Sequence, residues 1–284
     1  MPRPDHTSST EPIPNSLSPA GGGWHCNHLY YSFDRAALRQ LTAADRAEGC
    51  RAVIAALDPA GNDSPVRLQS SITIGQKADF GVMALDPNPL TVDRVHQRLM
   101  ASPFGPALVP RYSFVSITEI SEYVQSVDDF GQRLAAEGMD PNSPEYHARV
   151  KGYADRLDGM NRQRLTPDFP SYRSMCFYPM NKKRKVGENW FLLPKEDRSR
   201  LMIEHAKSGM AFAGRVSQLI TVGVGLEDWE WGVTLWAANP EFLKEIVYRM
   251  RFDEASARYA EFGPFYTGYI STAEEILAHC MIVT

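Results

Sequence analysis

The segment Ile72-Thr73-Ile74-Gly75 returns in the second half of the chain as Ile220-Thr221-Val222-Gly223. Two more segments return in the same order and at a nearly constant separation: Phe80-Gly81-Val82 as Trp231-Gly232-Val233, and Asn88-Pro89 as Asn239-Pro240. A longer loop at 224–228 accounts for the small change in separation. Matching residues in matching order predict that the chain contains two copies of one structural unit.

The residues around each copy predict the same succession of strands and helices. In the second half we expect strands at 174–180, 216–222, 229–237 and 265–270, with helices at 194–210 and 240–259. In the first half the strands are expected at 27–33, 66–74, 79–85 and 111–117, with helices at 35–57 and 91–100. Asn239 before Pro240 is a strong helix start, because asparagine caps a helix and proline suits its first position. Each half therefore reads as a ferredoxin-like β-α-β-β-α-β unit.

Two such units predict an α+β fold. A ferredoxin-like sheet carries helices on one face only, so its other face needs a cover. Two copies in one chain can cover each other, and we expect two ferredoxin-like βαββαβ modules packed sheet to sheet, as in a dimeric α+β barrel. The predicted division is a disordered Pro- and Ser-rich tail (1–23), an N-terminal module (24–142), a connecting helix and linker (143–170) and a C-terminal module (171–284).

Composition narrows the class of protein and its location. The 284 residues are 43% hydrophobic and 23% charged, as is ordinary for a globular enzyme. Lys and Arg number 30 against 34 Asp and Glu, so the net charge of -4 gives no basic excess for binding nucleic acid. The four cysteines form no CxxC pair, and no stretch resembles a signal peptide or a membrane span. We therefore expect a cytoplasmic protein without a membrane span.

A few polar side chains fall on otherwise apolar faces of the predicted elements. Gln218 shares a strand face with apolar residues. On another strand, Tyr178 and Lys182 are an even number of residues apart and so lie on the same face. His205 lies on the apolar stripe of its helix, one turn before Gly209, and a helical glycine often marks a close approach. Each residue also has an ordinary reading, as a hydrogen-bonded amide, a packed tyrosine or a core histidine. The residues alone leave the two readings open.

A set of longer motifs in the second half resembles a known family. The motifs are Tyr178-Pro-Met-Asn-Lys182, Glu188-Asn-Trp190, Leu201-Met-Ile-Glu-His205, Gly225-Leu-Glu-Asp-Trp-Glu-Trp-Gly-Val-Thr234, Met250-Arg-Phe-Asp-Glu-Ala-Ser-Ala-Arg-Tyr259 and Glu261-Phe-Gly263. Together they resemble the chlorite dismutase superfamily, and most closely its coproheme decarboxylase branch, from about residue 172 to 270. The first half resembles the family only in its element order, which implies an N-terminal module without haem.

The resemblance implies a role for each of several residues. His205 would be the iron ligand, Tyr178 the residue oxidised to a radical, and Gln218 the side chain facing the iron from the other side. Glu254 would be a partner of His205. Lys182 would hold the reacting carboxylate. The remaining positions implied to contact the porphyrin and its propionates are Arg164, Met180, Lys182, Arg251 and Ser256.

The activity that the resemblance implies is an oxidative decarboxylation. Two propionates of Fe-coproporphyrin III (coproheme) would become vinyl groups, giving haem b, with hydrogen peroxide as the oxidant. Coproheme would be both substrate and cofactor. The resemblance also implies a homopentamer and a ferrochelatase as donor of the substrate.

Other functions stay open at this stage. Chlorite dismutase or haem peroxidase activity is one alternative, although chlorite-degrading members carry arginine where this chain has Gln218. A non-catalytic haem-binding protein is another, although it would not need Tyr178. The plainest alternative is an α+β barrel that holds no haem.

Overall fold

The computed structural model describes residues 16–282, so only residues 16–23 of the predicted tail fall within it. This short part of the tail contacts the folded chain. The carbonyl of Leu17 accepts a hydrogen bond of 2.8 Å from Nε2 of His25. Gly23 is buried, and a Cβ atom there would lie 1.9 Å from the carbonyl oxygen of Thr118. Only glycine fits this close approach. Residues 1–15 of the predicted tail lie outside the described residues.

The first repeat has the predicted succession of elements. They are β1 (His25–Phe33), α1 (Arg35–Gln40), α2 (Ala43–Ala56), β2 (Arg67–Thr73), β3 (Phe80–Asp86), α3 (Pro89–Ala101) and β4 (Leu108–Ile117). The single helix predicted at 35–57 is wrong, because the chain breaks it at Leu41 and Thr42. Thr42 and Asp45 form a capping box, in which each side chain accepts a hydrogen bond from the other's backbone N–H. This box starts a new helix in the middle of the predicted one.

Two helices connect the repeats. They are α4 (Val127–Ala136) and α5 (Pro144–Leu165), and the side chain of Ser143 caps α5 by accepting a hydrogen bond from the N–H of Tyr146. The connecting helix is where the sequence predicts it, whereas α4 was not predicted. Across residues 16–282, no helix combines the length and the apolar character needed to cross a bilayer.

The second repeat contains the same succession with additions. Its elements are β5 (Ser174–Lys182), the hairpin of β6 (Arg184–Lys185) and β7 (Glu188–Asn189), α6 (Lys195–Met210), β8 (Val216–Val222), β9 (Trp231–Ala237), α7 (Pro240–Met250), α8 (Glu254–Tyr259), β10 (Ala260–Phe262), β11 (Tyr266–Ile270) and α9 (Ala273–His279). The helix predicted at 240–259 is also two helices. The break falls at 251–253, where Asp253 caps α8.

The strands of both repeats form one closed sheet. The order is β10-β5-β11-β2-β3-β1-β4-β8-β9, and β9 pairs again with β5. Within each repeat the main strands follow the ferredoxin-like order (fourth, first, third, second), and the repeats join through β11–β2 and β4–β8. The interior is filled largely by aromatic side chains, among them Tyr30, Phe114, Phe177, Trp236 and Tyr266. The predicted α+β barrel is confirmed, and the modules also pair along their edges.

The outer face of the first repeat is filled by apolar side chains. Val82 in the first repeat corresponds to Val233 in the second. Leu29 of β1 lies opposite Val82, and Tyr178 of β5 lies opposite Val233. By the same register, Leu68 of β2 takes the place that Gln218 has in β8. Both leucines belong to the apolar core beneath the helices. Tyr178 and Gln218 therefore have apolar counterparts in the first repeat.

Helix α9 follows the second repeat but packs on the first. It contacts α2 and β2, and its residues Ile276 and Leu277 are buried in the same core as Leu68. The guanidinium of Arg35 donates a hydrogen bond to the carbonyl of Cys280 just beyond the helix. The end of the chain thus completes the core of the N-terminal half.

Candidate functional site

His205 lies on α6 with one ring nitrogen already engaged. Its Nδ1 is 3.0 Å from Oδ2 of Asp253 and 3.3 Å from Oγ of Ser256. A carboxylate can only accept, so the hydrogen bond assigns the imidazole proton to Nδ1. Nε2 makes no hydrogen bond with residues 16–282, and the side chain is 26% exposed. Histidines that bind metals are commonly oriented in this way, with the second nitrogen donating to a carboxylate.

Asp253 is the buried carboxylate that holds this imidazole. It caps α8, where Oδ1 accepts a hydrogen bond of 2.9 Å from the N–H of Ser256. Burial alone would raise the pKa of Asp253, but the hydrogen bond and charge of His205 and the bonds from Ser256 lower it overall. Asp253 is therefore an anion. The expectation that Glu254 partners His205 is wrong, because Glu254 instead pairs with Arg258 at 3.4 Å.

Gly209 allows α6 to pack closely on α7. A Cβ atom at this position would lie 3.0 Å from the Cε atom of Met250. The close approach expected at this glycine is therefore to a side chain of the neighbouring helix. It sets the distance between the helix that carries His205 and the end of α7, beyond which lies Asp253.

Tyr178 and Gln218 share the outer face of the sheet. Tyr178 of β5 lies opposite Val233 of β9, which lies opposite Ile220 of β8, and directly paired residues of antiparallel strands point to the same side. Gln218 has the same parity as Ile220, so it lies on this face one row away. Ile220 is 44% exposed and Gln218 is also exposed. The face is thus covered at β5 and open at β8.

Tyr178 is buried among aromatic rings. Its side chain is 5% exposed, stacks on Phe265 with 4.5 Å between ring centroids, and lies 5.7 Å from the ring of Phe262. Burial raises the pKa of the Tyr178 phenol well above its ordinary value, and the nearby charge of Arg251 opposes the rise only in part. Among residues 16–282 none forms a hydrogen bond with this hydroxyl. Tyr178 is therefore a protonated phenol held by packing.

Lys182, at the end of β5, is a partly buried lysine close to Asp253. Its Nζ lies 4.2 Å from the centroid of the Trp190 ring and 3.3 Å from the carbonyl oxygen of Ala255. Burial lowers the pKa of Lys182 to about 8, although the charges of Asp253 and Glu230 act in the opposite direction. The ammonium is therefore only weakly favoured over the amine near neutral pH.

The other predicted residues differ in how they relate to this centre. Ser256 contacts Nδ1 of His205, and Met180 shares the face of Tyr178. Arg251 is exposed, with its guanidinium 5.6 Å from the centroid of the Phe262 ring that borders Tyr178. Arg164 stays on α5, where it donates to Asn161 at 3.3 Å, and no contact in the described chain joins it to the others.

The described residues fit an iron macrocycle better than a metal bound by protein alone. No group of three or more His, Cys, Asp or Glu side chains within 16–282 is arranged to hold a metal ion. A metal on Nε2 of His205 would need its other ligands from a cofactor, as a porphyrin supplies. On the sheet face that carries Tyr178 and Gln218, the apolar side chain of Ile220 is also 44% exposed. A flat apolar ring could cover such surfaces.

The chain is similar to several known proteins over most of its length. It shares 33% identity and a TM-score of 0.72 with a haem-binding protein from Thermus thermophilus, covering 91% of this chain and 95% of that one. A mutant chlorite dismutase from Candidatus Nitrospira defluvii shares the fold at 15% identity and a TM-score of 0.68, covering 91% and 95%. The family model for chlorite dismutase matches residues 46–271, and the chain belongs to the chlorite dismutase family.

Proposed function

We propose that this protein is a coproheme decarboxylase that uses hydrogen peroxide to convert two propionates of Fe-coproporphyrin III into vinyl groups. The proposal depends on the presence of two groups in the same repeat. On α6, His205 has a free Nε2 because Asp253 engages its other nitrogen. On the sheet face, Tyr178 is a protonated phenol with no hydrogen bond from any described residue to retain its proton.

The substrate would lie between α6 and the open part of the face formed by β8 and β9. His205 would bind the iron through Nε2, and the Asp253 carboxylate would orient the imidazole and make it electron-rich. The exposed apolar side chain of Ile220 would cover part of the ring from the sheet side. When bound, the iron of the substrate supplies the oxidising chemistry.

Tyr178 would take the hydrogen atom from the substrate. Each reacting propionate loses carbon dioxide, one further proton and two electrons as it becomes a vinyl group, and one peroxide accepts the electrons to give two waters. A phenol that gives up an electron and its proton together can then abstract hydrogen from the β-carbon of the propionate. Because Tyr178 accepts no stabilising hydrogen bond as an anion, burial favours loss of the proton with the electron rather than before it.

Charged side chains around the face suit a substrate with four carboxylates. Lys182 would hold the reacting carboxylate, and Arg251, Arg164 and Ser256 would bind others, since charge-assisted hydrogen bonds to carboxylates are strong. Of these, Arg251 lies near Tyr178, and Lys182 lies near Asp253. Binding of Arg164 would require it to turn away from Asn161. We further propose a cytoplasmic homo-oligomer, a pentamer by resemblance, that receives coproheme from a ferrochelatase.

A second candidate is a chlorite dismutase or haem peroxidase, which the family match supports. Gln218 bears on the choice. Its amide is neutral and exposed on the open face, where an anionic oxidant would find no positive charge from this residue. A neutral oxidant such as hydrogen peroxide suits an amide better. A non-catalytic haem-binding role is the third candidate, supported by the Thermus thermophilus relative.

One assay separates the three candidates. The purified chain is mixed with coproheme, peroxide is added in steps, and the porphyrin mass is followed. Two successive losses, each of carbon dioxide and two hydrogens, are expected. In a parallel cell, chlorite is added to the haem-loaded chain and oxygen is measured. Oxygen release with unchanged coproheme would establish chlorite dismutase activity. If neither cell changes, oxidation of an added dye by peroxide separates a haem peroxidase from the third candidate.

A further inference from the structure

Glu230 is a buried carboxylate that stands outside the predicted set of site residues. It immediately precedes β9 and is only 7% exposed. A carboxylate is seldom buried without partners, because removing its charge from water is costly. Its partners therefore indicate what it does. Three of them lie close together in sequence: Asn181 and Lys182 at the end of β5, and Arg184 at the start of β6.

The contacts of Glu230 continue the sheet beyond its last backbone pair. The ladder between β5 and β9 ends where Met180 faces Trp231. One residue further on, the N–H of Glu230 donates to Oδ1 of Asn181 at 2.7 Å, and the N–H of Lys182 donates to Oε2 of Glu230 at 3.0 Å. Two side chains thus replace two backbone acceptors. They fix the backbone of Lys182 where the strand would otherwise fray.

The other edge of Lys182 is held by β10. Ala260 pairs with Lys182 in that ladder, and the N–H of Lys183 donates to the carbonyl of Tyr259 at 2.7 Å. With both edges fixed, the side chain leaves the strand in one direction. That direction carries Nζ over the ring of Trp190.

The second oxygen of Glu230 faces a surface cation. Its Oε1 lies 3.2 Å from Nη1 of Arg184, whose side chain is 62% exposed. An exposed partner in water contributes little, whereas Lys182 is partly buried. The charged groups whose fields reach the Lys182 ammonium are Asp253, from the turn before α8, and Glu230, from the turn before β9. Both favour its charged form.

We propose that Glu230 is a positioning residue for Lys182. It accepts the hydrogen bond that fixes the backbone from which the ammonium projects, and its negative charge keeps that ammonium protonated in a partly buried place. The use of this ammonium to hold a substrate carboxylate rests on the proposed function, whereas the positioning itself does not. Glu230 acts through Lys182 and needs no contact with the substrate.

The test measures Lys182 in the full chain without substrate. Acylation of Lys182 by acetic anhydride is followed against pH by site-resolved mass spectrometry, with the neighbouring Lys183 as internal reference. Glu230→Gln keeps an acceptor oxygen but loses the charge. It should move the Lys182 titration downward by on the order of one unit. Hydrogen exchange at the Lys182 amide should stay slow in Glu230→Gln and become fast in Glu230→Ala.

Arg184→Gln is the matched control, because it removes the surface partner of Glu230 and leaves the bond to Lys182. The proposal expects a smaller shift for this variant than for Glu230→Gln. A Lys182 titration that is unchanged in both Glu230 variants would overturn the proposal, as would an Arg184→Gln shift equal to that of Glu230→Gln. Since none of these readouts uses coproheme, they separate a failure of this inference from a failure of the proposed decarboxylation.

Discussion

Oδ2 of Asp253 lies 3.0 Å from Nδ1 of His205, while Oδ1 of the same carboxylate caps helix α8 through the N–H of Ser256. One side chain therefore performs two tasks. It begins a helix, and it orients the imidazole on a neighbouring helix. The interruption between α7 and α8 is what places this carboxylate beside α6, so the break in the predicted long helix belongs to the candidate site.

Asp253→Asn separates these two tasks. The amide oxygen can still cap α8, so the start of this helix should be retained. The negative charge opposite His205 is lost, and the imidazole becomes a poorer electron donor. In the ferrous haem-loaded protein, the iron–imidazole stretching frequency in resonance Raman spectra should fall. Glu254→Gln, one residue away, is the control, and an equal frequency in Asp253→Asn and wild type would contradict the assignment.

His205→Ala should remove the protein ligand to iron. We expect coproheme to bind at least about tenfold more weakly, which corresponds to about 1.4 kcal/mol, with a changed Soret absorption band. His279→Ala, at the exposed end of α9, should leave both unchanged. Titration of coproheme followed by absorption measures this. An unaltered spectrum in His205→Ala would remove His205 from the site.

Tyr178→Phe should bind coproheme and leave it intact. The hydroxyl makes no hydrogen bond with the described chain, so its removal should alter the free energy of unfolding by less than about 1 kcal/mol. Tyr248→Phe is a suitable control, because Tyr248 is 64% exposed and lies on α7. Porphyrin mass after stepwise peroxide is the measurement. Continued decarboxylation in Tyr178→Phe would refute the radical role.

The affinity for coproheme should depend on the protonation of Lys182. Burial lowers the pKa of this lysine to about 8, so its positive charge is present below that pH and is lost above it. Affinity should therefore fall as the pH rises through this range. Lys182→Met, which carries no charge at any pH, should bind weakly throughout and show no such fall. Lys182→Arg keeps its charge and should flatten the dependence. A wild-type affinity that does not change across the pH range around this pKa would count against a carboxylate contact.

His28 should make the fold sensitive to acid. It is buried inside the barrel, with Nε2 2.7 Å from Oγ1 of Thr234, and burial lowers its pKa from 6.5 to about 3. The unfolded chain binds the proton first, so stability is complete above pH 6.5 and is lost progressively as pH falls towards 3. Over this range, one such group lowers the free energy of unfolding by about 1.4 kcal/mol for each pH unit of acidification. Urea unfolding of wild type should show this slope more strongly than His28→Gln does.

For that comparison, His279→Gln serves as the control. Its histidine is exposed, and the variant should follow the wild-type dependence on pH. If His28→Gln and the wild type lose stability in parallel below pH 6.5, the acid sensitivity has another origin.

Much of the fold could be predicted from the sequence because it is a repeated local pattern. The two β-α-β-β-α-β successions follow from alternation and from caps such as Asn239 before Pro240. The helix breaks were missed, although their signals are present. Thr42 with Asp45 is a capping box, and Asp253 three residues before Ser256 is a helix start.

The pairing between repeats could not be predicted, since it depends on distant strands meeting. A single pair of facing residues, Ile117 with Val222, defines the contact of β4 with β8. The same holds for the candidate site. The family resemblance singles out His205 and Tyr178, but only the folded chain brings Asp253 to the imidazole and Glu230 to the backbone of Lys182. Arg164, which lies outside the quoted motifs, contacts Asn161 and none of the other predicted site residues.

The placement of α9 has a consequence for synthesis of the protein on the ribosome. Ile276 and Leu277 are translated after every strand of the barrel, yet they are buried in the core beside α2 and β2. Until they emerge, the nascent N-terminal half carries an uncovered apolar groove while the rest of the chain is made. Chaperones that shield nascent chains would be expected to act on that groove, and completion of the first half must wait for the last helix.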